Sequence, residues 1–259
     1  PAPTFSDYQH ALSILSCDVK HYFLREENGF LLQDDYFSAL GDGVGAAFLC
    51  EPNNPTGALT PMPFLQRVVK QCEATGTMLM VDECFNHFLD TPDAHTLKFM
   101  LAECPHVIVL KAFTKMYALA GVRLGYVICS NAALLEKMEH AGQAWGVSTL
   151  AQSAGVAALQ EESYVQKVRR VIQTERPFLK EGLEKLGIRV FEGKANYLLL
   201  KTSAPLAAGL AAHGILIREC ENYPGLSSEF YRIAVRTREE NERLLSATQE
   251  VLSQWRNEL

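Results

Sequence analysis

Three segments of this chain set chemically capable side chains directly after apolar runs. Ala46–Cys50 (AAFLC) is followed by Glu51-Pro52-Asn53-Asn54-Pro55-Thr56-Gly57. Met78–Val81 (MLMV) is followed by Asp82-Glu83, and Val107–Leu110 (VIVL) by Lys111-Ala112-Phe113-Thr114-Lys115. An amide can donate or accept hydrogen bonds, a carboxylate can hold a proton or pair with a cation, and an amine can act as a nucleophile. Taken singly, each has an ordinary explanation. Pro, Asn and Gly form turns, Asp82 would cap a helix beginning at Glu83, and a loop lysine is solvated. Their joint placement after three runs marks a candidate site and leaves its chemistry open.

The elements that must position them follow from periodicity. The three runs, and a fourth at Tyr126–Cys129 (YVIC), are continuous rather than alternating, which is the pattern of strands covered on both faces. Between the first two lies Pro63–Thr75, whose Phe64, Leu65, Val68, Val69 and Cys72 fall on one helical stripe that Gly76 stops. A second helix is expected around His95–Cys104. Strand, helix, strand, helix, strand implies right-handed βαβ units, hence an α/β fold with a mainly parallel sheet and helices on both faces. In such sheets ligands sit beyond the carboxyl ends of the strands, where the three polar segments emerge. The glycine-rich Gly41–Gly45 (GDGVG) precedes a strand instead of following one, so it is read as a turn and not as a phosphate loop.

After about residue 150 the texture changes. A long helical pattern runs from Ala151 to Leu186, with a kink or restart expected at Pro177 and an i,i+4 pair at Glu181 and Lys185. Strands follow at Val190–Phe191 and Tyr197–Leu200, a helix near Leu206–His213, and strands at Ile215–Arg218 and Tyr231–Val235. A final helix opens on a capping box, Thr237 and Glu240, and buries Leu244, Leu245, Thr248, Val251, Leu252 and Trp255. The expected division is a large domain over residues 1–160 and a smaller α+β domain over 161–259 that includes the connecting helix.

Composition narrows the function. The chain has 259 residues, 48% hydrophobic and 21% charged, enough to bury a core without staples. Its 24 Lys+Arg against 30 Asp+Glu give a net charge of −6, which offers no basic surplus for nucleic acid or an anionic membrane. No apolar stretch reaches the ~20 residues of a membrane span. The seven cysteines have no CxxC spacing, and the seven histidines form no HxxxH or HExxH, so neither a disulfide framework nor a metal site is expected. A cytoplasmic location is the default reading.

Taken together, the segments resemble the class I/II aminotransferases, which depend on pyridoxal 5'-phosphate and have the aspartate-aminotransferase fold. The resemblance rests on PNNPTG (Pro52–Gly57), VDECF (Val81–Phe85), LKAFTKMYALAGVRLGY (Leu110–Tyr126), ANYLLL (Ala195–Leu200) and YRIAVRTREEN (Tyr231–Asn241), in the family's order and over nearly the whole chain. It implies that Lys115 forms the Schiff base with the cofactor and that Asp82 pairs with the pyridine nitrogen. Asn54 would donate to the ring's 3-oxygen, and Thr114 and Arg123 would hold the cofactor phosphate. Arg232 would clamp the substrate carboxylate, and Arg236, four residues on along the same strand face, would take a second anionic group. Two positions depart from the pattern. Phe85 stands where much of the family has tyrosine, so Asn54 carries the bond to the 3-oxygen alone, and Ala112 lacks a hydroxyl that often touches the phosphate.

Within the family, Leu216–Leu226 (LIRECENYPGL) followed by YRIAVRT looks most like the threonine-phosphate decarboxylases, with the histidinol-phosphate aminotransferases as near relatives. The resemblance therefore implies a small-molecule substrate, an amino acid or phosphorylated amine, and a homodimer. Decarboxylation is the first reading, amino transfer the second, and an inactive scaffold of the same fold the third. Since the match begins well inside the family's large domain, the sequence is expected to lack the family's N-terminal arm and part of its phosphate cup.

Overall fold

The computed structural model describes residues 1–258. Its helices are α1 (Ser6–Ile14), α2 (Tyr36–Ala39), α3 (Met62–Thr75), α4 (Ala132–Ala141), α5 (Thr149–Leu159), α6 (Glu162–Lys185), α7 (Leu206–Ala212) and α8 (Arg238–Glu258). Its strands are β1 (Ala46–Cys50), β2 (Met78–Asp82), β3 (Val107–Ala112), β4 (Gly125–Ile128), β5 (Arg189–Val190), β6 (Tyr197–Lys201), β7 (Arg218–Glu219) and β8 (Phe230–Ala234). The chain forms two compact units. A parallel-sheet unit comprises Leu32–Glu51 and Thr60–Val168; an antiparallel-sheet unit comprises Pro1–Leu31, Pro52–Leu59 and the chain from Arg169 onward. No helix among the described residues is long and apolar enough to cross a membrane.

In the parallel-sheet unit the strand order is β1-β2-β3-β4. The first three strands are parallel, with Cys50 level with Asp82 and Asp82 level with Leu110. The ladder runs one residue past the strand ends: Glu51 N–H donates to the Asp82 carbonyl (2.8 Å) and Glu83 N–H to that of Leu110 (2.9 Å). Leu49, Leu79, Val81, Val107 and Val109, which share one face of the sheet, are each at most 2% exposed. On the other face only Cys50, at the end of β1, and Ile108 of β3 are buried; Phe48, Met78 and Met80 are half-buried and β4 has no buried residue, so the expectation of four strands covered on both faces is not met. Helix α3 buries Leu65, Val68, Val69 and Cys72 and ends at Gly76, whose φ of +69° suits glycine.

Two connections in this unit also differ from the sequence expectation. The stretch His95–Cys104 is not an α-helix but two single 3-10 turns, Pro92–His95 and Leu101–Glu103. The Thr96 hydroxyl and the Leu97 N–H both go to the Glu83 carboxylate, at 2.6 and 2.9 Å, which ties this stretch to the turn after β2. Strand β4 is antiparallel to β3, because the 113–124 connection holds only a short turn at Ala120–Val122 and no crossover helix.

In the antiparallel-sheet unit the order is β5-β6-β8-β7. Leu198, Leu199 and Leu200 of β6 are at most 1% exposed. The long helical stretch breaks at Gln160–Glu161, between α5 and α6, and runs unbroken through Pro177. Proline removes one backbone bond, while Ile172, Glu175, Leu179 and Leu183 stay buried on either side of it. The capping box at the start of α8 is present in altered form: Thr237 donates both its N–H (3.3 Å) and its hydroxyl (2.8 Å) to Glu240.

Glu175 on α6 is buried and joins the start of α8. It accepts from Arg238 Nε (3.1 Å) and Asn241 Nδ2 (3.1 Å). The Arg238 bond, ahead of opposing desolvation, holds its carboxyl below the usual range. A depressed carboxylate contributes stability above its unfolded value, and that stability is lost as pH falls through the folded value. Glu175→Gln is therefore expected to cost about 1–3 kcal/mol at pH 7, with the gap closing in acid below about pH 4. Thermal melts of both proteins across pH measure it, and a gap that stays constant would rule the account out.

Candidate active site

In the parallel-sheet unit the site is built at the carboxyl ends of β2 and β3. Asp82 is the last residue of β2, and its Oδ1 accepts the Cys84 N–H at 2.9 Å. No helix begins at Glu83, so this carboxylate closes a turn instead of capping a helix. The Cys84 thiol is pushed well above its ordinary value, first by burial and then by the Asp82 charge and its hydrogen bond; Lys115 acts on the same thiol in the opposite sense. Asp82 and Lys115 thus both lie within electrostatic reach of one sulfur. Lys115 is exposed, and its Nζ lies 5.6 Å from the centroid of the Phe85 ring. Thr114 is half-buried beside it. Arg123 is exposed, adopts a left-handed φ of +57°, and donates Nη1 to the Ala120 carbonyl at 3.1 Å. Among the described residues neither Lys115 nor Arg123 has a carboxylate partner. An unpaired amine, an unpaired guanidinium, a hydroxyl and a fixed carboxylate are the donor set that an aldehyde-bearing phosphate with a ring nitrogen requires, so these residues fit pyridoxal phosphate. Lys111 is not part of this open set, because it turns inward to a buried ion pair with Glu83 at 2.7 Å.

The antiparallel-sheet unit holds Asn54 and the arginines. The Pro52–Leu59 loop is tied by Asn53, whose N–H donates to the Ala58 carbonyl (2.8 Å) and whose Nδ2 donates to the Pro3 carbonyl (3.0 Å) and Thr56 Oγ1 (2.9 Å). Tyr197 O–H donates to the Asn53 carbonyl at 2.8 Å. Gly57 has φ +72°, and a Cβ there would stand 3.0 Å from Gly193 Cα, so only glycine fits. Asn54 Oδ1 accepts from Arg232 Nη1 and from Tyr223 O–H (3.5 Å), which leaves Nδ2 as the donating end of the amide.

Arg232 on β8 has a neighbour that the sequence analysis did not single out. Its Cα partner across the strand pair is Arg218 on β7. Arg218 donates to Asn222 Oδ1 at 2.8 Å and lies 5.7 Å from the Tyr223 ring; Arg232 lies 5.1 Å from the Tyr197 ring. Neither guanidinium has a carboxylate partner among the described residues. Arg218 lay on a stretch read as a strand, but its pairing with Arg232 is a matter of register, which the sequence does not carry. Arg236 is not on the strand face where the sequence analysis placed it. Strand β8 ends at Ala234, and Arg236 is exposed beyond it, with Nε and Nη2 on Glu240 at 2.7 and 2.6 Å. It serves the start of α8.

The sheet order, the strand-end carboxylate and the free lysine define a class of enzyme. The chain belongs to the aminotransferase class I and II family, whose sequence model matches residues 1–247; the enzymes of this family depend on pyridoxal phosphate. The chain is 38% identical to the threonine-phosphate decarboxylase of Salmonella typhimurium over 257 residues, covering 97% of this chain and 70% of that protein. Its fold matches the histidinol-phosphate aminotransferase from Clostridium acetobutylicum with a TM-score of 0.92 and 25% identity, over 98% of this chain and 77% of that one. The histidinol-phosphate aminotransferase from Sinorhizobium meliloti, solved in complex with pyridoxal-5'-phosphate, shares the fold with a TM-score of 0.80 at 23% identity, over 97% and 69% of the two chains.

Glu51, at the exit of β1, adds a pH-dependent element. It is 5% exposed and accepts Thr60 O–H at 2.5 Å and Thr60 N–H at 2.8 Å. Burial pushes its carboxyl up to about 7, against the Thr60 bonds, with a smaller push from Glu83. The unfolded group titrates near 4.3. Between these values the folded chain holds a proton that the unfolded chain has released, so stability falls as pH rises through that window. Melting temperature followed from pH 5 to 8 should drop by a few degrees more for the parent than for Glu51→Gln; parallel curves would rule this out.

Proposed function

We propose that this protein is a pyridoxal-phosphate-dependent decarboxylase of a phosphorylated amino acid, of the threonine-phosphate type. The observation that carries the proposal is the Arg218–Arg232 pair. Two guanidiniums on directly opposed residues, held only by neutral amides and aromatic rings, suit a substrate with two anionic groups, a carboxylate and a phosphate. The identity to the Salmonella typhimurium decarboxylase supports the same substrate class.

When bound, the pyridoxal ring supplies an electron sink for the pair left on the substrate Cα. The chain's own residues do the rest. Lys115 would provide the amine that tethers the cofactor and would return a proton to the substrate carbon. Asp82, held at Oδ1 by the Cys84 N–H, would pair with the ring nitrogen and keep it protonated. Thr114 and Arg123 would take the cofactor phosphate. Phe85 has no hydroxyl to donate, and Asn54, its carbonyl end fixed by Arg232, presents Nδ2 as the donor that the resemblance implies for the ring's 3-oxygen. Arg232 takes the substrate carboxylate and Arg218 the substrate phosphate. Arg236 is committed to Glu240 and has no substrate role in this scheme. The parallel-sheet unit would then bear the cofactor tether and the antiparallel-sheet unit would read the substrate.

A second reading, amino transfer on histidinol phosphate, is favoured by the 0.92 TM-score to a histidinol-phosphate aminotransferase. That substrate carries a phosphate and no carboxylate, and the 2-oxoacid of the other half-reaction would bring the carboxylate for the second arginine. A homodimer fits the exposed Trp145, Leu150, Val156 and Leu159 in and before α5, and a cytoplasmic location fits the seven free cysteines.

Incubation of the cofactor-loaded protein with threonine phosphate is expected to release carbon dioxide and aminopropanol phosphate without consuming a 2-oxoacid. Turnover that requires a 2-oxoacid and releases no carbon dioxide would establish the transaminase instead. Lys115→Ala should abolish the near-visible absorbance band of the bound cofactor; a parent protein without that band would indicate a scaffold. Arg218→Met should raise KM for the phosphorylated substrate by about 10–100-fold, the loss of one charge-assisted contact, and leave the cofactor band in place.

A further inference from the structure

Lys111 and Glu83 are buried behind the open set of site residues. Their side chains are 5% and 1% exposed, and no other ion pair among the described residues is closed on both sides. Every polar atom has work. Lys111 Nζ reaches Glu83 Oε2 at 2.7 Å and Asn86 Oδ1 at 2.9 Å. Glu83 also accepts Thr96 O–H at 2.6 Å and Leu97 N–H at 2.9 Å. Asn86 Nδ2 donates to the carbonyls of Pro92 (3.0 Å) and His95 (2.8 Å). One ammonium therefore ties the exit of β3 to the turn after β2 and, through its partners, to the 92–97 segment.

Stability alone gives a poor account of such a pair. Desolvating two charges offsets most of their attraction, and well-packed apolar side chains of similar volume are often as stable or more so. Position gives a better one. The β2–β3 ladder ends with Glu83 N–H on the Leu110 carbonyl, and beyond that bond no strand pairing between the two fixes the chains. The ion pair lies one residue further on. Asp82 is adjacent to Glu83, and Lys115 follows Lys111 by one turn-forming segment of four residues. Glu83 also stands close enough to act on Glu51 and Tyr126, so its charge, were it unpaired, would bear on the whole strand-end cluster.

We propose that Lys111 and Glu83 are positioning residues that set the separation between the Asp82 carboxylate and the Lys115 amine, and that Lys111 neutralises a second carboxylate that would otherwise compete with Asp82. The proposal rests on the assignment of Asp82 and Lys115 to the cofactor.

The test compares the parent with Lys111→Met/Glu83→Leu, which replaces the pair by apolar groups, and with Glu83→Gln, which keeps the shape and removes the charge. The double variant leaves the Leu97 N–H, the Thr96 hydroxyl and Asn86 Oδ1 without their partners, so it is expected to melt well below the parent while folded at the assay temperature. Its dissociation constant for pyridoxal phosphate, read by fluorescence, should rise at least tenfold. The pH midpoint of its near-visible band should move by a unit or more, and kcat should fall at least tenfold with KM within about threefold. Glu83→Gln should shift the same midpoint in the same direction, which keeps the test decisive if the double variant does not fold. A folded variant with the parent's dissociation constant, midpoint and kcat overturns the proposal. If the parent itself shows no cofactor band, the cofactor assignment falls. The comparison then moves to the titration of the methylated Lys115 amine by NMR in the cofactor-free protein. A shift in Glu83→Gln supports positioning, and an unchanged titration overturns it.

Discussion

The backbone ladder between β1, β2 and β3 is the constraint on which the candidate site depends. Parallel pairing in register sets Cys50, Asp82 and Leu110 level, so three chains leave the sheet at one edge. A strand also alternates its side chains between faces, which gives neighbouring residues opposite fates. Asp82 remains half-exposed with a turn closed on it, while Glu83, one residue on, is 1% exposed and locked to Lys111. Lys111 is turned inward within β3, whereas Lys115 lies in the turn past the strand end and is left in the open. Two like-charged pairs close in sequence are thus sorted into buried structure and accessible chemistry by geometry alone.

Much of this was legible in the sequence because burial leaves a pattern. The four apolar runs became β1 to β4 within a residue or two, and the stripe on α3 is buried where its spacing places it. What escaped depends on distant partners. The His95–Cys104 stretch has helical spacing, but Thr96 and Leu97 are tied to a carboxylate thirteen residues upstream of Thr96. Pro177 is a helix breaker by local rules, yet the buried faces of Ile172 and Leu179 carry α6 across it. Arg236 fits a strand's alternation and is instead held by Glu240, one helical turn ahead. Arg218 needed knowledge of which strand lies beside which.

The site chemistry was legible to a different degree. Lysine, aspartate and amide could be picked out by type and by order after the runs, whereas their ionic condition could not. That Lys115, Arg123, Arg218 and Arg232 lack carboxylate partners among the described residues, in a chain of net charge −6, is a property of packing. The acidic surplus is placed elsewhere, as where Glu26 meets Arg189 and Lys201 and where Glu240 meets Arg236. A chain that is acidic overall still offers anionic ligands a set of free cations, because proximity outweighs net charge at distances within the Debye length.

The opposed guanidiniums of β7 and β8 have a consequence beyond recognition. Like charges on directly facing residues repel, and the ring faces of Tyr197 and Tyr223 soften this without cancelling it. The two guanidiniums therefore contribute a small repulsion that the sheet hydrogen bonds outweigh. Screening relieves it, so added salt should tighten this sheet locally, the reverse of what salt does to the Lys180–Glu184 pair on α6. If the pair takes the proposed substrate with two anionic groups, binding would relieve the same repulsion.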